Sequence, residues 1–357
     1  MAYKIGMIVG SLIGGGTQKI VEILANSMNE LGHEVVIFTL KGKVEIPPGL
    51  RANVVPLLGR SLGNKRRELI TAIKQGGEVG PVDLMLTHGY EGYRLMEGVD
   101  GVNCHHVVHN AFDIRTAAEL KKLRIVAFAR KYLKYRAVFK NKKLITASQG
   151  IADGLIRYFG VSPENVQTIY NPFDIGHIRS LGAESIQLPA ADYMVHVGAF
   201  AAIKRHDLLL RAYATLETPM RLVLVGEGHL KDKIIALAQE LGIADRVDFF
   251  PWQANPYPYI QNARLLVLSS DSEGLPTVVV EALILGTPVV STDCPYGPSE
   301  ILTGNLARFL VPRNDVAALA AAMTEALNNP PVINDAMVAR FDHRFAVERY
   351  LELIQSH

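Results

Sequence analysis

Cysteine is nearly absent: Cys104 and Cys294 are the only two in 357 residues. No C-x-x-C is possible and a disulfide framework is excluded, so a reducing, cytoplasmic setting is expected. No uninterrupted apolar run reaches the roughly eighteen residues that a membrane helix needs. The opening MAYKIGMIVGSLIGGG places one lysine before a short apolar stretch and offers no small-residue cleavage pattern. A first strand is expected there, not a signal peptide. Net charge is small as well, +2 from 37 basic and 35 acidic residues. The balance conceals an asymmetry. Through Pro172 the chain has 23 Lys and Arg against 14 Asp and Glu, and the remainder has 14 against 21. The halves are therefore expected to meet different partners.

What is present is ordinary for a globular protein, 49% apolar and 20% charged, in a length that suits two domains. Apolar runs alternate with helical patterns. KIGMIVGSL, HEVVIFTL, VDLMLTHG, VNCHHVVHN, KKLITAS and VQTIYNP read as strands. After a polar stretch at 175–189 the pattern restarts with YMVHVGAF, RLVLVGEG, RVDFFPW, RLLVLSS, TPVVSTD and ARFLVP. These runs are continuous and rich in Val and Ile, as parallel strands covered on both faces require. The expected fold is α/β, two doubly wound domains facing across a cleft. Their bounds are 1–174 for the first domain, 175–189 for a linker and 190–341 for the second domain. A last helix, 342–357, is expected to return to the first domain.

The stretch SEGLPTVVVEALILGTPVVSTD carries two carboxylates, Glu273 and Glu281, eight residues apart. Pro276 suits the first turn of a helix, and Gly286 its end. Glu273 then falls in the preceding turn and Glu281 on the second turn, leaning back toward it. The apolar residues around Glu281 leave no polar face, so its carboxylate needs a partner. A helix start supplies free N–H groups and a positive dipole end, suited to a diphosphate. Lys204, in GAFAAIKRHD, stands where a strand gives way to a helix and could neutralise the same group.

E-G-L-P-x4-E-A-L-x2-G-T-P-V-V-S-T-D resembles the E-x7-E signature of retaining glycosyltransferases of family four, which have the GT-B architecture. GGGTQKIVEILANSMNELGHEV, VVHN, IYNPFD, VGAFAAIKRHDLLLRA, LVGEG and FAVERYLELI follow in that family's order, so the resemblance spans nearly the whole chain. It implies that Glu273 contacts the donor sugar and Glu281 the ribose. Backbone around Gly274, Leu275, Pro276 and Thr277 would face sugar and diphosphate. Gly198, Gly226 and Trp252 would line the nucleotide site, with Lys204 and Arg205 as cations. His109 would sit near the donor sugar and acceptor, and Gly15 and Gly16 would touch the donor phosphate. Two departures matter. Ala199 stands where the family usually has Arg, and Pro276 removes one backbone donor.

Other chemistries are disfavoured. Gly14, Gly15 and Gly16 lack the G-x-G-x-x-G spacing, and no acidic residue ends HEVVIFTL, so a nicotinamide cofactor is not expected. His105, His106 and His109 lack a carboxylate among them, no D-x-D is present, and no essential metal is expected. Residues 121–143 hold ten cations and no anion, with Phe128, Tyr132, Tyr135 and Phe139 on one helical face. Such a face packs against a core or, with its cations, lies on an anionic membrane. Nucleic acid is not expected, because no recognition motif accompanies the charge. The combined expectation is a glycosyltransferase moving a hexose or N-acetylhexosamine from a nucleotide-diphosphate sugar, most simply UDP-linked. The acceptor would be a glycan or lipid-linked glycan at the cytoplasmic face of a membrane. A sugar-nucleotide epimerase and a non-catalytic nucleotide-sugar binder are the alternatives.

Overall fold

The computed structural model describes residues 1–12, 15–41, 45–109, 132–189 and 191–355. It divides into two compact units, Met1–Phe173 with Phe341–His357, and Asp174–Arg340. In the first unit the strands are β1 Lys4–Val9, β2 Glu34–Thr39, β3 Asn53–Pro56, β4 Leu84–His88, β5 Cys104–Val108, β6 Lys143–Thr146 and β7 Val166–Thr168. They form one parallel sheet in the order β3-β2-β1-β4-β5-β6-β7. Alternate side chains enter opposite layers. Ile5, Met7, Val35, Ile37, Leu84 and Leu86 face one core, while Ile8, Val36, Phe38 and Met85 face the other. Both faces are covered, which explains why the runs are continuous.

The C-terminal helix His343–Gln355 belongs to this unit. It buries Ala346, Val347, Tyr350 and Leu353 in the layer that holds Ile20, Leu24 and Met28 of helix Gly16–Glu30. The spacing is one helical face. Asn103 Nδ2 donates to the Leu353 carbonyl at 2.9 Å and ties the helix to the foot of the sheet.

The second unit has β8 Tyr193–Val197, β9 Arg221–Val225, β10 Val247–Phe250, β11 Leu265–Leu268, β12 Val289–Thr292 and β13 Leu310–Val311. They form a parallel sheet in the order β10-β9-β8-β11-β12-β13. In each sheet the order reverses beside the first strand, β1 or β8, which makes the carboxyl end of that strand a ligand crevice.

Two expectations need correction. The stretch 175–189 is not a plain linker: Ile175–Gly182 is a helix, capped by Asp174 through the His177 N–H at 2.9 Å. It packs into the second unit because Ile178 is buried and Gly182 has no side chain; a Cβ there would lie 2.6 Å from Leu285 Cδ2. The edge strand β3 was not expected, since it has only four residues, none fully buried, and ends in proline.

Candidate active site

In the second unit, β11 leads through buried Ser269 and Ser270 into the turn that holds Glu273. A neighbouring loop is sewn to this turn. Ser269 Oγ donates to the Lys204 carbonyl at 2.8 Å, and the Asp271 N–H donates to the Ile203 carbonyl at 2.8 Å. The stitching brings Lys204 Nζ to 2.7 Å from Glu273 Oε1. Their side chains keep 22% and 12% of their accessible surface, so the pair is partly shielded yet reachable.

Helix Thr277–Ile284 follows. Pro276 is its N-cap and not its first residue, a small correction; it supplies no side-chain hydrogen bond to the first-turn amides. At the other end the Gly286 and Thr287 N–H groups close on the Leu283 and Ala282 carbonyls, a Schellman ending. From Val278 to Ile284 every residue is buried, Glu281 included at 7% exposure. Glu281 accepts a hydrogen bond from Tyr257 Oη at 3.2 Å. The two glutamates thus have different partners, a cation for one and a phenol for the other. Gly297, at φ +99, backs the turn: a Cβ there would stand 2.9 Å from the Gly274 carbonyl oxygen and 2.6 Å from Pro276 Cδ.

The crevice residues from β8 and β9 meet as closely. A Cβ on Gly226 would lie 2.1 Å from the Gly198 carbonyl oxygen, so only glycine permits this approach. Gly198 in turn lies against the Lys204 stem. Arg205 is already engaged by neighbouring side chains. Its guanidinium forks onto Asp207 at 2.9 and 3.0 Å, reaches Asp271 at 3.1 Å and also bonds Asn314. Two carboxylates match its charge, so it braces the turn. Beneath Lys204, His196 Nδ1–H donates to the Val267 carbonyl at 2.8 Å and its ring meets His206 edge-on. Burial pushes His196 down to about 4 and His206 down to about 2, so both are neutral near pH 7. Burial, with the Glu273 charge, pushes the Cys294 thiol up to about 12, which leaves it unreactive. Trp252 is 68% exposed on the surface after β10.

The first unit carries its own constellation at the carboxyl ends of β1, β4 and β5. A cavity of about 480 Å³ is lined there by Gly10, Gln18, His88, Tyr90, Glu91 and His109 among others. His109 Nδ1 lies 3.3 Å from Asn171 Oδ1, an acceptor, so that nitrogen carries the proton. His109 Nε2 is then the acceptor for His88 Nδ1–H at 2.8 Å, with the rings stacked. Burial lowers both rings, His109 to about 4. His106 points to the opposite layer, against Thr87 Oγ1 at 2.6 Å, and burial lowers it to about 3. Gly15 is the N-cap of helix Gly16–Glu30, while Gly14 lies outside the described residues. Among the described residues no group of three or more acidic, His or Cys side chains is placed to hold a metal.

These neutral histidines predict acid sensitivity. An unfolded chain binds protons near the ordinary value of 6.5, while the folded rings at about 4 and below do not. Their contribution to stability is complete above about pH 6.5 and is lost as pH falls toward 4, by up to about 1.4 kcal/mol per pH unit for each ring. The melting temperature should therefore drop between pH 7 and pH 5. An unchanged melting temperature across that interval would show that the rings are protonated when folded.

Of the aromatic face proposed for 121–143, Phe128 lies outside the described residues; the rest turns inward. Tyr132 stacks on Phe159, Tyr135 meets Tyr90 edge-on, and Phe139 is fully buried. Lys134 lies over the Tyr90 ring at 3.9 Å. From Tyr132 on the stripe therefore packs inward, and the described surface keeps Leu133, Lys134, Arg136 and Lys140, while residues 121–131 lie outside the described residues. No helix among the described residues is long and apolar enough to cross a membrane.

Residues 14–177 match the family model Glycosyltransferase Family 4, and residues 186–342 match Glycosyl transferases group 1. The chain belongs to glycosyltransferase family four. One relative, the N-acetylgalactosamine-N,N'-diacetylbacillosaminyl-diphospho-undecaprenol 4-alpha-N-acetylgalactosaminyltransferase of Campylobacter jejuni, is 34% identical over 44% of this chain and 43% of its own. The chain thus spans less than half the length of that relative. An uncharacterized glycosyltransferase of Haemophilus influenzae is 24% identical over 92% of this chain and 91% of its own. Among solved structures, Anabaena HepE in complex with UDP and glucose aligns with a TM-score of 0.78 at 17% identity, covering 99% of this chain and all of that one. The fold is GT-B, built from two Rossmann-like domains.

In this family-four chain the turn and helix of the E-x7-E block stand as the spacing implies. Two participants were missed. Tyr257 is 24 residues from Glu281 in sequence, and His88 is 21 from His109. The only local signal for His88 was its place at a strand's carboxyl end; Tyr257 had none.

Proposed function

We propose that the chain is a retaining glycosyltransferase. It would move a hexose or N-acetylhexosamine from a nucleotide-diphosphate sugar, UDP-linked by preference, to a glycan or lipid-linked acceptor in surface polysaccharide assembly. The observation that carries this reading is the Lys204–Glu273 contact at 2.7 Å beside the start of helix Thr277–Ile284. An ammonium with three donors and a row of first-turn amides can receive a diphosphate, while the adjacent carboxylate receives sugar hydroxyls. The UDP and glucose held by HepE and the diphospho-undecaprenol acceptor in the Campylobacter enzyme's name support the donor and acceptor classes.

In this reading Glu281 holds the ribose and Glu273 orients the sugar. Lys204 and the helix start stabilise the charge that grows on the departing diphosphate, and no divalent ion is assigned to that task. The acceptor hydroxyl attacks on the face the diphosphate leaves, and no side chain is assigned as a covalent nucleophile. The neutral His88–His109 pair lines the cavity of the acceptor domain, and His88 Nε2 is the ring nitrogen left to accept a hydroxyl there. The exposed Lys134, Arg136 and Lys140 would hold that domain to an anionic membrane face.

A panel of nucleotide sugars, screened by thermal shift and then by turnover with and without glycan acceptors in excess EDTA, tests the reading. Acceptor-dependent release of nucleotide diphosphate is expected. Release without acceptor would mean an epimerase, binding without turnover a binding protein, and rescue by magnesium or manganese an ion in the mechanism.

A further inference from the structure

The donor domain contains a second contact that the reaction scheme does not use. Tyr257 is 2% exposed and opens the short helix Tyr257–Gln261, which packs beside helix Thr277–Ile284. Its backbone is anchored twice over. The Tyr257 N–H donates to Asn255 Oδ1 at 3.1 Å, and Asn255 Nδ2 donates to the Leu181 carbonyl at 3.0 Å and to Glu184 Oε2 at 2.8 Å. The phenol is thus presented by fixed structure to Glu281 Oε1 at 3.2 Å.

From this geometry we infer that Tyr257 is a positioning residue. It fixes the Glu281 carboxylate against the ribose and so makes the site select ribonucleotide over 2′-deoxyribonucleotide donors. The inference rests on the reading of this unit as the donor domain. A glutamate on a helix has three rotatable side-chain bonds, and a donor from a neighbouring element removes most of that freedom. A phenol does this without neutralising the carboxylate, as Lys or Arg would. An ionised carboxylate accepts at about four lone-pair sites, so the phenolic bond does not exhaust what Glu281 can accept. Burial and the Glu281 charge raise the Tyr257 pKa far above its ordinary value, so the phenol is a donor at neutral pH. A 2′-deoxy ligand would forgo the hydroxyl bond to this buried carboxylate, the case in which a missing hydroxyl is rejected hardest.

The test compares dissociation constants for matched pairs: UDP and 2′-deoxy-UDP, GDP and 2′-deoxy-GDP, ADP and 2′-deoxy-ADP. Wild type should prefer the ribonucleotide of its own base by roughly ten- to a hundredfold, one hydrogen bond to a charged group. Tyr257→Phe keeps the ring and its packing, and its preference should shrink to about threefold or less. In a Glu281→Gln background, Tyr257→Phe should change the ratio no further, because it acts through that carboxylate. Equal binding of both members of a pair by wild type overturns the inference, whether or not the variants fold. So does a folded Tyr257→Phe that keeps the wild-type ratio, even with weaker binding overall, since lost packing would weaken both ligands alike. Failure of wild type to bind any of the six would instead defeat the donor-domain reading itself.

Discussion

Lys204→Ala should lower turnover by roughly a hundred- to a thousandfold, with a much smaller rise in the donor KM. In the proposed reaction the diphosphate gains charge as it leaves, so a cation beside it would be worth more in the transition state than in the bound ground state. Lys204 is well placed for this, partly shielded from water and held by its main chain to Ser269. Ala199 stands where the family usually has a second cation, and Arg205 is engaged by Asp207 and Asp271. Neither is expected to compensate. Lys204→Arg should recover part of the rate, because it restores charge but not the point geometry of an ammonium. Near-normal kcat in a stable Lys204→Ala protein would remove the lysine from the chemistry.

Glu273→Gln is expected to separate sugar from nucleotide. The amide fills the same volume but cannot pair with Lys204 as an ion or accept sugar hydroxyls as strongly. kcat/KM for the nucleotide sugar should fall about a hundredfold, two charge-assisted hydrogen bonds. Affinity for the free nucleotide diphosphate should stay within about threefold, or tighten, because Lys204 is released from its carboxylate and a like charge near the phosphates is gone. Titration calorimetry with UDP beside steady-state kinetics decides it. Equal losses in both measurements would place Glu273 against the nucleotide and not the sugar.

How far the sequence was legible depends on the range of each interaction. The twelve expected strands all exist, because a parallel strand buried on both faces must be apolar from end to end, as at Val35–Phe38 or Leu265–Leu268. The glutamate block was legible for a related reason: a buried carboxylate in a helix such as Thr277–Ile284 violates local composition and marks itself. Contacts closed by the tertiary fold were not legible. Tyr257 in NPYPYIQ has no periodicity that points at Glu281, and nothing in KRHD shows that Arg205 is matched by Asp271, 66 residues away. Helix Ile175–Gly182 was hidden for the opposite reason. Its sequence is polar and holds two glycines, and it is helical because Asp174 caps it and the second unit offers a groove for Ile178.

The return of the last helix to the first unit has a consequence for synthesis. The layer that holds Ile20, Leu24 and Met28 is closed by Val347, Tyr350 and Leu353. These two halves of one layer leave the ribosome on either side of the whole Asp174–Arg340 unit. At about 5 to 20 residues per second, the nascent first unit waits roughly ten to forty seconds with an oily strip uncovered, while the second unit can already be complete. The first unit is thus closed only after the second has been made, and a message cut short before His343 would release a protein whose defect lies in the unit that was made first.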